Sequence, residues 1–496
     1  MANYGQDDAS TGIAGLDDIL VGGLARDRLY LLEGSPGTGK TTAALSFLRA
    51  GAQNNEPTLY ITLSETEAEL RSTALTHGWD LAGITVFELV PPESLLDEQQ
   101  QQSLLYSSDL ELGETTRLIL DAVETTKPSR VVIDSLSEIR LLAQSSLRYR
   151  RQVLALKHYF AKHGATVLML DDLTTESLDK TVHSVAHGVI RLEELAPEYG
   201  AERRRIRMIK YRGRKYRGGY HDFTIRTGGL EVYPRLVSSE HRTDFCREPL
   251  ASGIEGLDRI LCGGVERGSS CLILGPAGTG KSLMALYFAI SAIKRGERAA
   301  LFIFDEELGV LYARTRSFGI DLQALVDADQ LIVQQIDAAE LSPGEFTARV
   351  RACVQSQNIR TVIIDSLNGY QAAMPEENFL LLHIHELLQY LNRQGASTFL
   401  TVAQHGLVGD MKAPVDVTYL ADTVLLLRYF EALGEVRRAV SVIKKRSGPH
   451  EKTIREYRIG DDGLTVGEPL TGFQGVLRGV PNFVGPGSGL MGDPGA

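Results

Sequence analysis

The chain has 496 residues, 43% of them apolar and 23% charged, with a formal net charge of −11. That length exceeds one ordinary core and points to about two to four domains. The acidic balance excludes a surface uniformly attractive to nucleic acid, and no uninterrupted apolar stretch approaches the roughly 20 residues that cross a bilayer.

The opening MANYGQDDASTG is polar. It has no basic segment followed by an apolar core, so it does not read as a signal peptide, and a cytoplasmic protein without membrane contact is expected. Further on, LYLLE (29–33) is a short apolar run before the glycine-rich GSPGTGKTT (34–42), and TTAALSFLRAGA (41–52) has apolar residues at helical spacing. The runs TLYITL (58–63), RVVID (130–134) and TVLML (166–170) follow, separated by helical segments. Continuous apolar strands alternating with helices predict a parallel sheet buried on both faces.

A basic run, ERRRIRMIKYRGRKYRGGYHD (202–222), leads to a polar stretch at 235–248, after which the pattern begins again. CLILG (271–275) precedes GPAGTGKSL (275–283), which starts 241 residues after its first copy. The openings STGIAGLDDILVGG and ASGIEGLDRILCGG echo each other, as do RVVIDSLS with TVIIDSLNGY and IKYRGRKY with IKKRSGPH. Three echoes in one order indicate a duplicated domain; a period this long is not a solenoid repeat. The expected fold is α/β: two tandem P-loop NTPase domains, each a mostly parallel twisted sheet flanked by helices. The expected boundaries are 1–240, 241–470 and a tail at 471–496, whose Gly/Pro-rich GPGSGLMGDPGA is expected to be flexible.

Both glycine stretches fit G-x-x-x-x-G-K-[ST]. Such a loop aims backbone N–H groups at a phosphate, at a helix N-terminus where the dipole also favours anions. The candidate nucleotide-binding residues are Gly34, Ser35, Gly37, Thr38, Gly39, Lys40, Thr41 and Thr42 in the first copy. In the second they are Gly275, Gly278, Thr279, Gly280, Lys281, Ser282 and Leu283. Lys40 and Lys281 would neutralise ATP's β- and γ-phosphates, and Thr41 and Ser282 would hold Mg²⁺. Asp134 and Asp365 end neighbouring strands and are the candidate metal carboxylates. Hydrolysis also needs a group that orients or deprotonates water. LSET (63–66) and FDEE (304–307) supply Glu65 and Glu306, with Asp305 beside the latter; the competing reading is an acidic first helical turn.

With these residues placed, the chain resembles the KaiC family of circadian-clock ATPases, of the RecA-like superfamily, from about Thr11 to about Phe483. The paired SGI-x-GLD openings, the two P-loops, VIDSL and IIDSL, and the basic hairpins carry the resemblance. It implies a homohexamer of two stacked rings, CI and CII, with ATP between neighbouring subunits. It further implies ATPase activity in both rings and serine/threonine autokinase activity in the second. The family's Glu-Glu pair falls on Ser64-Glu65 and on Asp305-Glu306, so the first domain keeps one carboxylate. Lys210 and Arg212, with Lys444 and Arg446, match cations that reach the adjacent subunit's phosphates. In DVTYLADTVLLLRYFE (416–431) the phosphoacceptor positions fall on Thr418 and Tyr419, and the tyrosine departs from the family's threonine. The tail EPLTGFQGVLRGVPNF resembles the segment that leaves CII, and a KaiB-like partner is within what the resemblance implies.

Two other functions compete. A RecA-type DNA-dependent ATPase would use the basic run at 202–222, yet only Tyr211 and Tyr216 interleave it as stacking surfaces. A nucleotide-gated scaffold with little turnover would fit Ser64 and Tyr419. Other signals carry less. The four cysteines, Cys246, Cys262, Cys271 and Cys353, show no C-x-x-C spacing and read as buried thiols in a reducing compartment. HIH at 383–385 lies in a helical stretch, where residues two apart do not share a face and make a poor chelate. Trp79 reads as a packing residue.

Overall fold

The structure, a computed structural model, describes residues 8–89, 104–173, 181–197, 200–372, 377–404, 418–460, 463–478 and 481–485. The chain divides into two compact units, Met1–Arg235 and Leu236–Ala496.

The first unit is built on strands β1 (Leu29–Gly34), β2 (Thr58–Thr62), β3 (Ile84–Glu88), β4 (Arg130–Asp134), β5 (Thr166–Asp172), β6 (Gly188–Leu195), β7 (Arg203–Tyr211), β8 (His221–Arg226) and β9 (Gly229–Tyr233). They form one sheet in the order β9-β8-β7-β6-β1-β5-β4-β2-β3. From β6 to β3 the neighbours are parallel, and from β6 to β9 they are antiparallel. Every residue of β1 is buried because helices cover both faces of the parallel part. Alternate residues feed different cores: Tyr30 and Leu32 pack with Phe47, Tyr60 and Val132, whereas Leu29 and Leu31 pack with Ile61, Ile133 and Met169. β7 lies where one face meets solvent. It buries Ile206, Met208 and Tyr211 and leaves its arginines partly exposed.

The second unit repeats this plan with β10 (Ser270–Gly275), β11 (Arg298–Ile303), β12 (Leu331–Gln335), β13 (Ile359–Asp365), β14 (Ser397–Ala403), β15 (Thr423–Ala432), β16 (Glu435–Lys445), β17 (Arg455–Gly460) and β18 (Gly463–Pro469). The order β12-β11-β13-β14-β10-β15-β16-β17-β18 matches the first sheet strand for strand. Each unit is thus a mostly parallel α/β domain.

Several expectations change in detail. The run TVLML extends two residues, so β5 ends in Asp171 and Asp172. Of the four free cysteines only Cys271 and Cys353 are buried; Cys246 and Cys262 are exposed, which corrects the reading of four buried thiols. Cys262 lies just past the helix Glu255–Ile260, in a left-handed turn with φ of 50°. His383 is not a ligand. Its ring is buried, Nδ1 lies 2.6 Å from the Tyr370 hydroxyl and Nε2 3.2 Å from that of Thr347. Trp79 is buried, as its packing role required. In the tail, Phe473–Gln474 pairs with Asn482–Phe483, and Phe473 packs against a cluster of Phe430, Leu470 and Val476. Residues 486–496 of the expected flexible segment lie outside the described residues. Among the described residues no helix is long and apolar enough to cross a membrane.

Candidate functional site

In both units the central strand runs straight into the glycine loop and then a helix: β1 into α1 (Lys40–Gln53), and β10 into α2 (Lys281–Lys294). Gly39 and Gly280 precede the helices in left-handed conformation, with φ of 94° and 89°. A Cβ at either would come within 2.7 Å of Ile225 or 2.4 Å of Ile459. Only glycine fits these turns, which leave the first helical N–H groups facing the loop. Thr38 and Thr279 close the loops by donating their hydroxyls, at 2.8 Å each, to the carbonyls of Ser35 and Pro276.

In the first unit Lys40 Nζ lies 2.9 Å from the carbonyls of Gly34 and Ser35 and 2.7 Å from the carboxylate of Asp172. Asp134, at the end of β4, accepts the Tyr60 hydroxyl at 2.6 Å. Burial pushes the Asp134 carboxyl above its ordinary range and Asp172 adds to this, while Tyr60, Lys40 and Thr41 pull it down. Glu65 follows β2 in a loop pinned by Thr62, whose hydroxyl donates to the Glu65 carbonyl at 2.7 Å and accepts its N–H at 3.0 Å. The side chain of Glu65 is half-buried, and among the described residues its Oε2 has no hydrogen-bond partner. Its carboxyl is raised by burial first, then by Asp134, Glu69 and Asp172. The acidic helix start is occupied by other residues: Thr66 caps the helix Glu67–Thr76 and Glu69 completes its capping box.

The second unit keeps the backbone and changes the partners. Lys281 Nζ donates to the Pro276 carbonyl at 2.8 Å and, among the described residues, has no ion pair. Burial pushes its ammonium below the ordinary range, with Asp365 opposing. Asp365 accepts the Thr401 hydroxyl, and Asp305 accepts that of Ser366. Glu306 makes a two-pronged pair with Arg314, Oε1 to Nε at 3.0 Å and Oε2 to Nη2 at 2.7 Å.

Sheet register aligns the two sites without reference to sequence. Leu63 N–H donates to the Asp134 carbonyl as Phe304 N–H does to that of Asp365, so Ser64 and Glu65 correspond to Asp305 and Glu306. Gly34 faces Asp172 as Gly275 faces Ala403. The same comparison shows that Thr42 and Leu283 aim their side chains elsewhere. Thr42 is buried, its hydroxyl 3.3 Å from the His77 ring, and Leu283 is in the core, so each offers the loop only its backbone.

The basic segments also superpose in plan. Lys210 Nζ donates to the carbonyls of His183 and Ala186, and Arg212 to that of Ser184. Lys444 Nζ donates to the carbonyls of Thr418, at 3.0 Å, and Ala421, at 2.8 Å; Arg446 donates to that of Tyr419 at 2.8 Å. Within the chain these cations therefore clamp the turn before β6 or β15. Tyr419 is 52% exposed and Thr418 half-buried.

A family model described as the KaiC ATPase matches residues 9–237 and again 250–471. The chain belongs to the KaiC ATPase family. It is similar to the circadian clock protein KaiC3 of a Synechocystis strain, 29% identical over 486 residues, covering 95% of this chain and 94% of that protein. It is also similar to circadian clock oscillator proteins named KaiC. That of Acaryochloris marina is 27% identical, with coverages of 96% and 91%; that of Prochlorococcus marinus is 29% identical, with coverages of 96% and 95%. Both KaiC domains are nucleotide-binding ATPase domains by family, and each carries its P-loop, strand-end aspartate and glutamate together at the same edge of its sheet.

The sequence reading passed over Asp172, Tyr60, Ser366, Thr401 and Arg314. Asp172 had a signal: the run VLMLDD places two acids at a strand end. Tyr60 and Thr401 had none, because each looks like an ordinary strand residue until register sets it beside an aspartate.

Proposed function

We propose that this KaiC-family ATPase binds ATP with Mg²⁺ at both P-loops and hydrolyses it at subunit interfaces of a two-ring homohexamer. The second domain is also a serine/threonine autokinase acting on Thr418, with Tyr419 as the second acceptor position, and the protein works in timing or signalling. The observation that carries this reading is the convergence, in each unit, of a P-loop lysine, a strand-end aspartate and a glutamate after the neighbouring strand.

The residues fit the cofactor. Asp134 is a buried carboxylate near two others, with Lys40 paired to one of them and the Thr41 hydroxyl acting on Asp134; that donor set suits a hard divalent cation. Bound Mg²⁺ would neutralise charge on the phosphates. Thr41 and Asp134, and Ser282 and Asp365, would hold it. Lys40 and Lys281 supply the charge that orients the phosphates, and Glu65, Asp305 and Glu306 are the acceptors for the nucleophile's proton. Lys210, Arg212, Lys444 and Arg446 project at strand ends, where a neighbouring subunit's phosphates are the expected target. The relatives' names speak of circadian clocks, which supports a timing role; a KaiB-like partner is carried over from the family resemblance alone.

The test is incubation of the purified chain with labelled ATP and Mg²⁺, followed by phosphosite mapping. Label on Thr418 that disappears in Glu306→Gln supports the autokinase. Phosphate release without covalent label would leave a two-site ATPase and remove the kinase assignment.

A further inference from the structure

The first site lacks a carboxylate where the second has one, Ser64 against Asp305, and the structure shows what stands in its place. Asp172 closes β5 directly opposite Gly34, the first residue of the P-loop. Its carboxylate is 2.7 Å from Lys40 Nζ and acts electrostatically on both Asp134 and Glu65. The second site has the opposite assignment. The residue opposite Gly275 is Ala403, and the carboxylate appears instead at Asp305, where it accepts a hydrogen bond from Ser366.

We propose that Asp172 takes over, from the strand next to the P-loop, the task left by Ser64, so that each site keeps two carboxylates besides its metal aspartate but draws one of them from a different strand. This rests on the ATPase reading above. Asp172 is a positioning residue. It fixes the Lys40 ammonium at the loop mouth, and its charge acts on Glu65, whose Oε2 has no hydrogen-bond partner among the described residues. A second negative charge near Glu65 stabilises that group's protonated form. Burial and Asp134 act on Glu65 more strongly than Asp172 does, so the main contribution of Asp172 is to hold the Lys40 ammonium at the loop.

The geometry excludes a simple packing role. The Asp172 side chain is 29% exposed and its ion-pair partner is the P-loop lysine. Asp171, its neighbour on the opposite face, does the structural work by pairing with Arg140 and accepting from Ser137.

The experiment measures steady-state phosphate release by the full chain carrying Lys281→Ala, so that only the first site turns over. Asp172→Ala is expected to lower kcat by about 100-fold, the scale of a lost proton-transfer arrangement, with a smaller change in KM. Asp172→Asn, which preserves shape, is expected to lose as much. Adding Ser64→Asp to Asp172→Ala is expected to restore at least about a tenth of the parent rate. Unchanged kcat in Asp172→Ala overturns the proposal, and so does a loss that appears in KM alone or that Ser64→Asp does not rescue. No phosphate release from the unmodified chain would instead remove the ATPase reading, and this proposal with it.

Discussion

Arg314→Ala tests whether the second site is held back by its own ion pair. In the structure both Glu306 oxygens are bound by the Arg314 guanidinium, at 3.0 and 2.7 Å, and the pair is about a third exposed on one side and a quarter on the other. Solvent screens a pair this open, so the bidentate geometry contributes about 1 kcal/mol. Glu306 must give up that contact to act on a nucleophile, and 1 kcal/mol corresponds to about fivefold in the population of freed carboxylate. The assay is phosphate release by the full chain with first-site turnover removed by Glu65→Gln. Arg314→Ala is expected to raise the second-site rate about fivefold, and Arg314→Lys, a point charge without the fork, less. The first unit offers the reverse substitution, since Thr73 stands where Arg314 does, eight residues past the glutamate. Thr73→Arg is expected to slow the first site by a similar factor. A folded Arg314→Ala chain with unchanged or lower turnover would refute the reasoning, because Glu306 would then need its arginine or take no part.

Three further outcomes follow from the same geometry. Lys40→Ala is expected to weaken assembly of the hexamer in size-exclusion chromatography, whereas Lys281→Ala is expected to abolish phosphate incorporation; normal incorporation in the latter would displace the kinase site. His383 is buried and neutral, its pKa lowered from 6.5 to about 4 by burial, with Glu386 opposing. A depressed folded pKa gives stability that is full above about pH 6.5 and lost as pH falls toward 4, by at most about 3 kcal/mol; urea unfolding of the second unit across that range should show the decline, and His383→Gln should flatten it. Gly229 has φ of 108°, and a Cβ there would lie 2.4 Å from Trp79, so Gly229→Ala is expected to destabilise the first unit by about 2 kcal/mol, read through the fluorescence of Trp79, the only tryptophan.

The fold was legible because parallel strands buried on both faces must be apolar throughout, and LYLLE, RVVID and CLILG are. The P-loops were legible because the chemistry needs glycine at fixed spacing, and Gly39 and Gly280 show the positive φ that enforces it. The strand-end aspartates were legible only with a P-loop upstream to give them meaning. What stayed hidden depends on pairings across the sheet. Asp172 meets Lys40 from 132 residues further along the chain (172 − 40), and Arg314 meets Glu306 around two helical turns. The direction of the Thr42 side chain stayed hidden for a simpler reason: the motif fixes its position on the helix but not the face, and that face looks toward His77.

Duplication left one backbone twice, and the sites differ at a few register positions. The first gathers Asp134, Asp172 and Glu65, with Lys40 paired to Asp172. The second gathers Asp365, Asp305 and Glu306 around Lys281 and Arg314. Excess negative charge raises carboxyl groups and favours removing a proton from a nucleophile. The second site has an added cation, Arg314, that occupies both Glu306 oxygens. The same P-loop thus sits in two electrostatic settings, one in each unit, with its glycines and lysine unchanged. The glycines that shape the loop are the same in both copies, while the residues at 64 and 305, 73 and 314, and 172 and 403 differ.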